Sequence, residues 1–283
     1  MIAMKPYVSR DFQRPLVPIK FFAQWKACTF RDFALYFAFL LLKPFLSSRV
    51  YETFLKYCVG IRILRTRSCS TNSTMLDLAE TLLREFSNEY DDIVGYRDTV
   101  YSVHNLIHLT SDVRVTKLPL DELSTYSFEN SYRPLRDRVK SSSTPIAQIE
   151  KRLHEVDRYY KMYKIYHESP LLEKSKNGKV TKFKLYYSSF VADSLNDSFC
   201  KIDDCIVQIS SVNGENSDCK LSGRVYAIEK PFFVSPIDSS LLEIFVIKAT
   251  HRVITSPINR ISCKLYVLPY LDKLVSFPAV HSI

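Results

Sequence analysis

Glycine is scarce in this sequence, with five residues among 283. This shortage disfavours folds that hold a nucleotide in a glycine-rich phosphate loop, and neither GxxxxGK[ST] nor GxGxxG occurs anywhere. We therefore expect no nucleotide partner.

Long apolar runs and secretion signals are also missing. The longest apolar run, residues 33–42, is bounded by Asp32 and Lys43 and has about half of the roughly 20 residues that a membrane-spanning helix needs. Residues 1–19 lack the apolar core and the small-residue cleavage site of a signal peptide. We expect a helix buried in a protein core, no membrane partner and no secretion.

The cysteine pattern does not favour a disulfide framework. The cysteines are odd in number, widely spaced and mostly surrounded by apolar residues, as reduced structural thiols are. They are Cys28, Cys58, Cys69, Cys200, Cys205, Cys219 and Cys263. This predicts an intracellular protein, nuclear or cytoplasmic. Zinc at Cys200 and Cys205 is a minor alternative, because no CxxC motif completes a zinc ribbon.

The apolar content of 46% is enough for a buried core in each of two domains. Periodicity is helical up to about Tyr166 and becomes alternating or β-branched after Ser169-Pro170. The predicted fold class is α+β, with an all-helical N-terminal domain followed by a small antiparallel β domain or barrel. The predicted bounds are an irregular lead-in over 1–25, a helical domain over 26–169 and a β-rich domain over 179–283.

Helices and strands are predicted from caps, prolines and the spacing of apolar residues. The predicted helices run from Thr29 or Arg31 to Leu42, from Ser47 to Leu64, from a cap at Thr74, from Thr99 to Val113, from Phe128 to Lys140 and from Pro145 to Tyr166. A polar loop is predicted over 65–73. The predicted strands are Lys182 to Phe190, Cys205 to Val212, Arg224 to Val234, Leu242 to Val253 and Ser262 to Leu268.

The fourth helix carries two histidines and an aspartate on one face. His104, His108 and Asp112 stand at i, i+4 and i+8, so they can share a metal ion or a hydrogen-bond network. The HExxH pattern of metalloproteases is absent, because Asn105 stands where its glutamate would be. Structural, hydrogen-bonded side chains are the expected role, and metal ligation is the alternative.

The stretch around this helix resembles a known family. The run VHNLIHLTSDV is followed by LPLDELSTYSFENSYRPLRDRV, and together they resemble the region after the catalytic core of CACTA-type (En/Spm-like) transposases and their relatives in animal genomes. The resemblance extends more weakly over most of the chain. Leu118 stands where the family usually has a glycine, and Tyr126-Ser127 replaces a run of small apolar residues and proline, which weakens any claim of preserved chemistry.

The resemblance implies an RNase H-like core in which three carboxylates hold two Mg²⁺ ions for phosphodiester chemistry. Glu129 would be a relic of the third carboxylate, and the first two aspartates would lie upstream of Met1. Mg²⁺ is then expected only if another chain supplies the missing carboxylates, and no other cofactor is expected. The alternative role for Glu129 is an ordinary carboxylate at a helix start, paired with Arg133.

A basic segment follows Glu129 and is the candidate contact to DNA. Its residues are Arg133, Arg136, Arg138, Lys140, Lys151 and Arg152. Such side chains bind phosphates without reading sequence, and a solvated helix face is an equal alternative. Tyr159, Tyr160, Tyr163 and Tyr166 are expected to pack, with base stacking as a minority alternative.

These observations predict a transposase-derived fragment that associates with DNA and is inactive in strand transfer as an isolated chain. The competing class is a domesticated protein-binding or scaffold protein with an interaction surface on the β domain. An independent hydrolase would need a nucleophile and a base, which these residues do not assemble.

Overall fold

A computed structural model describes residues 2–12, 14–95, 101–125, 136–166, 171–174, 180–185, 188–214 and 219–280. The helices are α1 (Ala27–Asp32), α2 (Ala38–Leu41), α3 (Ser48–Arg65), α4 (Arg67–Ser70), α5 (Ser73–Val94), α6 (Tyr101–His104), α7 (Leu109–Thr116), α8 (Leu120–Leu123) and α9 (Pro145–Tyr166). A π-helical segment, Phe33–Phe37, joins α1 to α2. Short 3-10 helices span Ile2–Tyr7, Ile19–Gln24, Asn105–His108, Ser239–Leu242 and Ile258–Arg260.

Nine described strands follow the helices. They are β1 (Leu171–Lys174), β2 (Val180–Leu185), β3 (Ser188–Val191), β4 (Phe199–Ile202), β5 (Cys205–Asn213), β6 (Lys220–Pro231), β7 (Phe245–Pro257), β8 (Ile261–Tyr270) and β9 (Lys273–Pro278). All pairings among them are antiparallel. The predicted α+β class, with a helical part followed by an antiparallel β part, is confirmed.

Six of the strands close into a barrel. The order around it is β4, β5, β6, β7, β9 and β8, and the pairing of β8 with β4 completes the circle. Strands β1, β2 and β3 form a small extension that joins β5 where Val180 pairs with Val212. Closure removes exposed edges from the six barrel strands, which is one way a β protein avoids pairing with other chains.

The helical hairpin of α3 and α5 is built as its sequence predicts, with one difference at the cap. Ser47 caps α3, accepting a hydrogen bond from the backbone N–H of Val50 at 3.4 Å. Asn72, rather than the predicted Thr74, caps α5 by accepting a hydrogen bond from the backbone N–H of Met75 at 3.2 Å. Helices α3 and α5 approach closely at Gly60, where a Cβ atom would lie 2.8 Å from Leu83 Cγ. A larger residue at this position would push the helices apart.

The predicted polar loop over 65–73 contains a helical turn, α4, and two strands of the barrel were not predicted. Strand β4 has four residues and includes Lys201, while β9 begins with Lys273 and ends with Pro278. Short strands with such residues give a weak pattern, and barrel closure supplies the hydrogen-bond partners that stabilise them.

The helical layer and the barrel share one hydrophobic core. Tyr36, between α1 and α2, lies 5.3 Å from the Tyr266 ring and 6.1 Å from the Phe277 ring, both on barrel strands. Phe39 packs edge-on against Phe277 at 5.3 Å. Phe12 of the lead-in joins the same cluster, 5.1 Å from Tyr266. The predicted domain bounds stay a prediction, but this hydrophobic cluster includes buried residues of both predicted domains.

Within the described ranges, none of the helices combines the length and the apolar character that a bilayer crossing requires. The apolar run 33–42 is instead a buried element of the shared core, with Tyr36 and Ala38 fully inaccessible to solvent.

Candidate functional site

The predicted histidine face is exposed to solvent. His104, His108 and Asp112 lie on the continuous helical segment from α6 to α7, and all three are exposed. The two imidazole rings meet edge to face with centroids 5.4 Å apart. Across the described residues, no group of three or more His, Cys, Asp or Glu side chains is placed to hold a metal ion. These three residues therefore form no metal centre in the structure.

Glu129 and Arg133 lie outside the described residues. The other members of the basic segment are exposed, except for Arg138, which is half-buried. They lie on the helical turn 136–138, two residues after it at Lys140, and near the start of α9. Arg136 and Arg152 form local ion pairs with Asp137 at 3.7 Å and Glu155 at 2.6 Å. The Gln148 amide accepts a hydrogen bond from Lys140 N at 2.9 Å and donates one to Ser141 Oγ at 3.0 Å. These bonds hold the turn at 140–143 against α9, so the two basic stretches are neighbours.

The cysteines are all free thiols. Cys200, which is fully buried on β4, points its thiol at the Val207 carbonyl, with sulfur and oxygen 3.7 Å apart. Burial raises the pKa of this thiol well above its ordinary value. Cys200 and Cys205 belong to no metal-holding group among the described residues. The zinc alternative therefore has no site here.

A concave site in the described part of the chain lies where the helical layer meets the barrel. We call it the junction cleft. Its volume is about 850 Å³. One wall comes from the end of α3 and from α4, a second from the start of α8, and a third from the barrel side, namely 241–243, Cys263 and 278–280. A cleft of this size is typical of ligand sites, which often lie between two structural layers.

Arg62 connects the two layers at the floor of the cleft. Its guanidinium donates to Leu35 O at 3.3 Å and to Pro278 O at 2.6 Å. It also lies over the Tyr36 and Phe277 rings, at 5.8 Å and 5.7 Å from their centroids. Burial lowers the pKa of Arg62 from its ordinary value. This arginine is a structural cation that leaves little of its charge available to a ligand.

Arg65, one helical turn later, is buried and only partly satisfied. Its guanidinium forms an ion pair with Asp121 of α8, and the exposed fractions of the two side chains are 8% and 11%. The Nε–H of Arg65 has no hydrogen-bond acceptor among the described residues. Arg65 also lines a second cavity of about 140 Å³ beside Arg31. Nearby, burial raises the pKa of Asp32, against the lowering effect of Arg31.

The rim of the cleft is more polar and more open. Arg67 pairs with Glu122, and the exposed fractions of these side chains are 72% and 39%. Glu243 pairs with Lys201 of β4. Burial, followed by the charge of Glu243, raises the pKa of the Cys263 thiol to about 11. A thiol with such a pKa is a poor nucleophile near neutral pH, so the cleft presents charge and apolar surface rather than a reactive sulfur.

A second buried charge cluster lies between the lead-in, β3, β8 and the segment before β4. The Nζ of Lys264 lies 2.6 Å from Asp11 Oδ2, 2.7 Å from Asp197 Oδ1, 3.1 Å from Ser9 Oγ and 2.5 Å from Ser189 O. The side chains of Lys264, Asp11 and Asp197 are 0%, 5% and 1% exposed. We call these residues the Lys264 cluster. Sequence reasoning missed it, although a lysine inside the apolar run of β8 was a signal.

Comparison with known proteins covers the β part of the chain. Residues 166–279 are similar to a family described as a domain of unknown function, DUF8592. The matched stretch begins where α9 ends and includes all nine described strands. No curated protein and no solved structure matches the chain. The transposase-like stretch precedes the matched residues, so that relationship stays a prediction.

Proposed function

We propose that the protein is a binding protein whose junction cleft receives an acidic segment of a partner protein. The observation that carries this proposal is the Nε–H of Arg65, which is buried at the wall of the cleft and has no acceptor among the described residues. A buried donor without an acceptor costs roughly 1–3 kcal/mol, and an incoming carboxylate or carbonyl oxygen removes that cost when the Arg65 side chain turns towards it.

The charges around the cleft favour an acidic partner over a basic one. Each carboxylate of the rim already has a cation: Glu122 pairs with Arg67, and Glu243 pairs with Lys201. Arg67 is mostly exposed and keeps N–H groups free for a second acceptor. A partner carboxylate can therefore bind the arginines, whereas a partner cation would have to displace an existing one.

The apolar part of the cleft supports a polypeptide rather than a small anion. Leu241, at its mouth, is 57% exposed, and Pro119 and Val280 add apolar surface nearby. Binding sites typically combine such a surface with a few polar groups that fix orientation. A segment with one acidic residue beside an apolar residue satisfies both features.

A displayed library of 12-residue peptides, selected on the purified full chain, tests this function. We expect enrichment of peptides with Asp or Glu beside an apolar residue. Binding of a selected peptide, measured by fluorescence polarisation, should weaken at least about tenfold, or 1.4 kcal/mol, in Leu241→Asp and Arg65→Met. Lys151→Glu, which lies outside the cleft, is the matched control. Enrichment of basic peptides, or equal binding by Leu241→Asp, would contradict the proposal.

A second candidate function is association with the DNA backbone through the basic segment, as expected for a transposase-derived intracellular protein. It is favoured by Lys140 and Lys151, which are exposed and form no ion pair within the described residues. Arg138 is half-buried beside them and likewise has none there. Cations of this kind release counterions from phosphates and confer no sequence preference. Strand transfer is proposed to be absent from the isolated chain, and Mg²⁺ would enter only with carboxylates from another chain.

Duplex binding measured from low to physiological salt tests this candidate. We expect affinity to fall as salt rises, and the slope to become shallower by about one unit for each phosphate contact removed in Lys140→Glu and Lys151→Glu. Leu241→Asp serves as the control here, because the cleft plays no part in this contact. A slope near zero, or no binding at low salt, excludes nucleic acid as a partner.

A further inference from the structure

The Lys264 cluster places an amine and a carboxyl group in contact where water is excluded. Lys264 Nζ lies 2.6 Å from Asp11 Oδ2, and the side chain of Lys264 is inaccessible to solvent. The Phe190 and Tyr266 rings lie 5.5 Å and 5.8 Å from the same nitrogen. Charged groups are costly in such surroundings, so their conversion to neutral groups is favoured.

We propose that Lys264 and Asp11 form an intramolecular isopeptide bond, with an amide joining Lys264 Nζ to Asp11 Cγ. The bond would tie the lead-in covalently to β8, across a sequence separation of 253 residues. This modification is independent of the junction cleft and of the basic segment.

The reaction needs no reagent beyond the two side chains. A proton passes from the ammonium of Lys264 to the carboxylate of Asp11, which leaves an amine and a carboxylic acid. The amine nitrogen attacks Cγ, the new N–C bond forms, and one C–O bond breaks as water leaves. An ammonium and a carboxylate thus become one amide and one water, with no change in oxidation state. Holding the two groups together supplies an effective concentration on the order of 10⁵ M or more.

The second carboxylate is placed to move the proton. Asp197 Oδ1 lies 2.7 Å from the same nitrogen and accepts a hydrogen bond from Ser9 Oγ at 2.5 Å. Its Oδ2 accepts a bond from Arg10 N at 3.3 Å. Asp197 can therefore take a proton from the attacking nitrogen and return it to the leaving oxygen, which makes it a general acid and base.

Asp11 is the better electrophile of the two carboxyl groups. Apart from Lys264, its side chain accepts a long bond from Ser189 N, at 3.4 Å. Asp197 has the Ser9 hydroxyl and the Arg10 N–H as donors and is the more firmly held anion. Attack is easier at the carboxyl group that has fewer donors to its oxygens among the described residues, because that group is freer to turn its Cγ towards Lys264 Nζ.

Intact-mass measurement of the denatured full chain tests the proposal. The folded and incubated wild type should be lighter by one water than its sequence predicts, and Lys264→Arg, purified in the same way, should keep its full mass. Tryptic digestion should yield one branched peptide that joins residues 11–20 to residues 261–273. A wild type of unmodified mass in a folded sample would overturn the proposal, as would the same water loss in Lys264→Arg.

Two further variants separate the chemistry from folding. Asp11→Asn should lose one ammonia instead of one water and reach the same final mass as the cross-linked wild type. Asp197→Ala should remain uncross-linked while circular dichroism shows a wild-type spectrum. Cross-linking at the wild-type rate in Asp197→Ala would overturn the role of Asp197 as the proton carrier.

Discussion

Two buried cations in this protein, Lys264 and Arg65, meet their carboxylates in different surroundings. Lys264 lies between Asp11 and Asp197 in a closed site with four oxygen atoms around its nitrogen. Arg65 pairs with Asp121, lines an open cleft and has an N–H without an acceptor in the part of the chain that the structure describes. The closed Lys264 cluster is suited to a structural role and to covalent linkage, whereas the open Arg65–Asp121 pair is suited to binding a partner. Both cations are buried, so burial does not distinguish these roles. The difference lies in whether a ligand can reach the cation and in whether all its N–H groups have acceptors.

The largest effect is expected from Lys264→Met. This variant keeps the length of the side chain but cannot form the proposed amide, and it leaves the buried carboxylates of Asp11 and Asp197 without a cation, which typically costs about 3–5 kcal/mol. Urea unfolding followed by circular dichroism measures the loss in the free energy of unfolding. Lys248→Met, on an exposed position of β7, is the control and should stay within about 0.5 kcal/mol of the wild type. If Lys264→Met lowered the free energy of unfolding no more than Lys248→Met does, the Lys264 cluster would not have the stabilising role that sets it apart from the Arg65–Asp121 pair.

A smaller effect is expected from Asp121→Asn. Arg65 then stays buried without its counter-charge, and we expect a cost of about 1–3 kcal/mol because water can reach the cleft and partly solvate the guanidinium. Glu122→Gln removes the neighbouring, exposed partner of Arg67 and should cost under about 1 kcal/mol. Thermal unfolding of the two variants side by side makes the comparison. Equal losses of stability would mean that the buried Arg65–Asp121 pair stabilises the fold no more than the exposed Arg67–Glu122 pair.

The smallest effect is expected at Lys56, which also lies between two carboxylates but near solvent. Its Nζ lies 2.9 Å from Glu85 Oε2 and also pairs with Glu89. Burial acts to raise the pKa of Glu89, but hydrogen bonds from Lys56 and Thr53 outweigh it and lower the pKa below its ordinary value of 4.5. A lowered folded-state pKa stabilises the fold above that ordinary value, and the contribution is lost as pH falls through the folded pKa.

Glu89→Gln should therefore cost under about 1 kcal/mol at neutral pH, since solvent screens this pair. The difference from the wild type should shrink as pH falls below 4.5. Unfolding free energies measured from pH 7 to pH 3 give the curve. A difference in unfolding free energy that grew as pH fell would contradict a lowered pKa of Glu89 in the folded state.

The sequence predicted local elements well where a local signal exists. Helix α9 has the predicted bounds, Pro145 to Tyr166, because a proline suits a first helical position and a serine-rich loop precedes it. Strands β5 and β8 contain the predicted runs, since β-branched residues dominate them. The cap of α5 was misplaced by two residues, because Asn72 and Thr74 both have side chains that can cap a helix.

The candidate sites were less predictable. The basic segment and the histidine face were found from spacing along a helix, which is a local property. The junction cleft draws residues from α3, α8 and β8, and no spacing in the sequence indicates that these elements meet. The thiols of the cleft were predicted to be reduced and structural, and the structure has them as free thiols with raised pKa values at Cys69 and Cys263.

The amino-acid sequence by itself determined the order of helices and strands, the α+β class and the absence of a nucleotide loop, because these depend on neighbours within a few residues. Tertiary structure alone decided that the barrel closes, that the helical layer shares its core, and that Asp11 meets Lys264. Such contacts join residues far apart in the chain, and their free energy depends on how every intervening element packs.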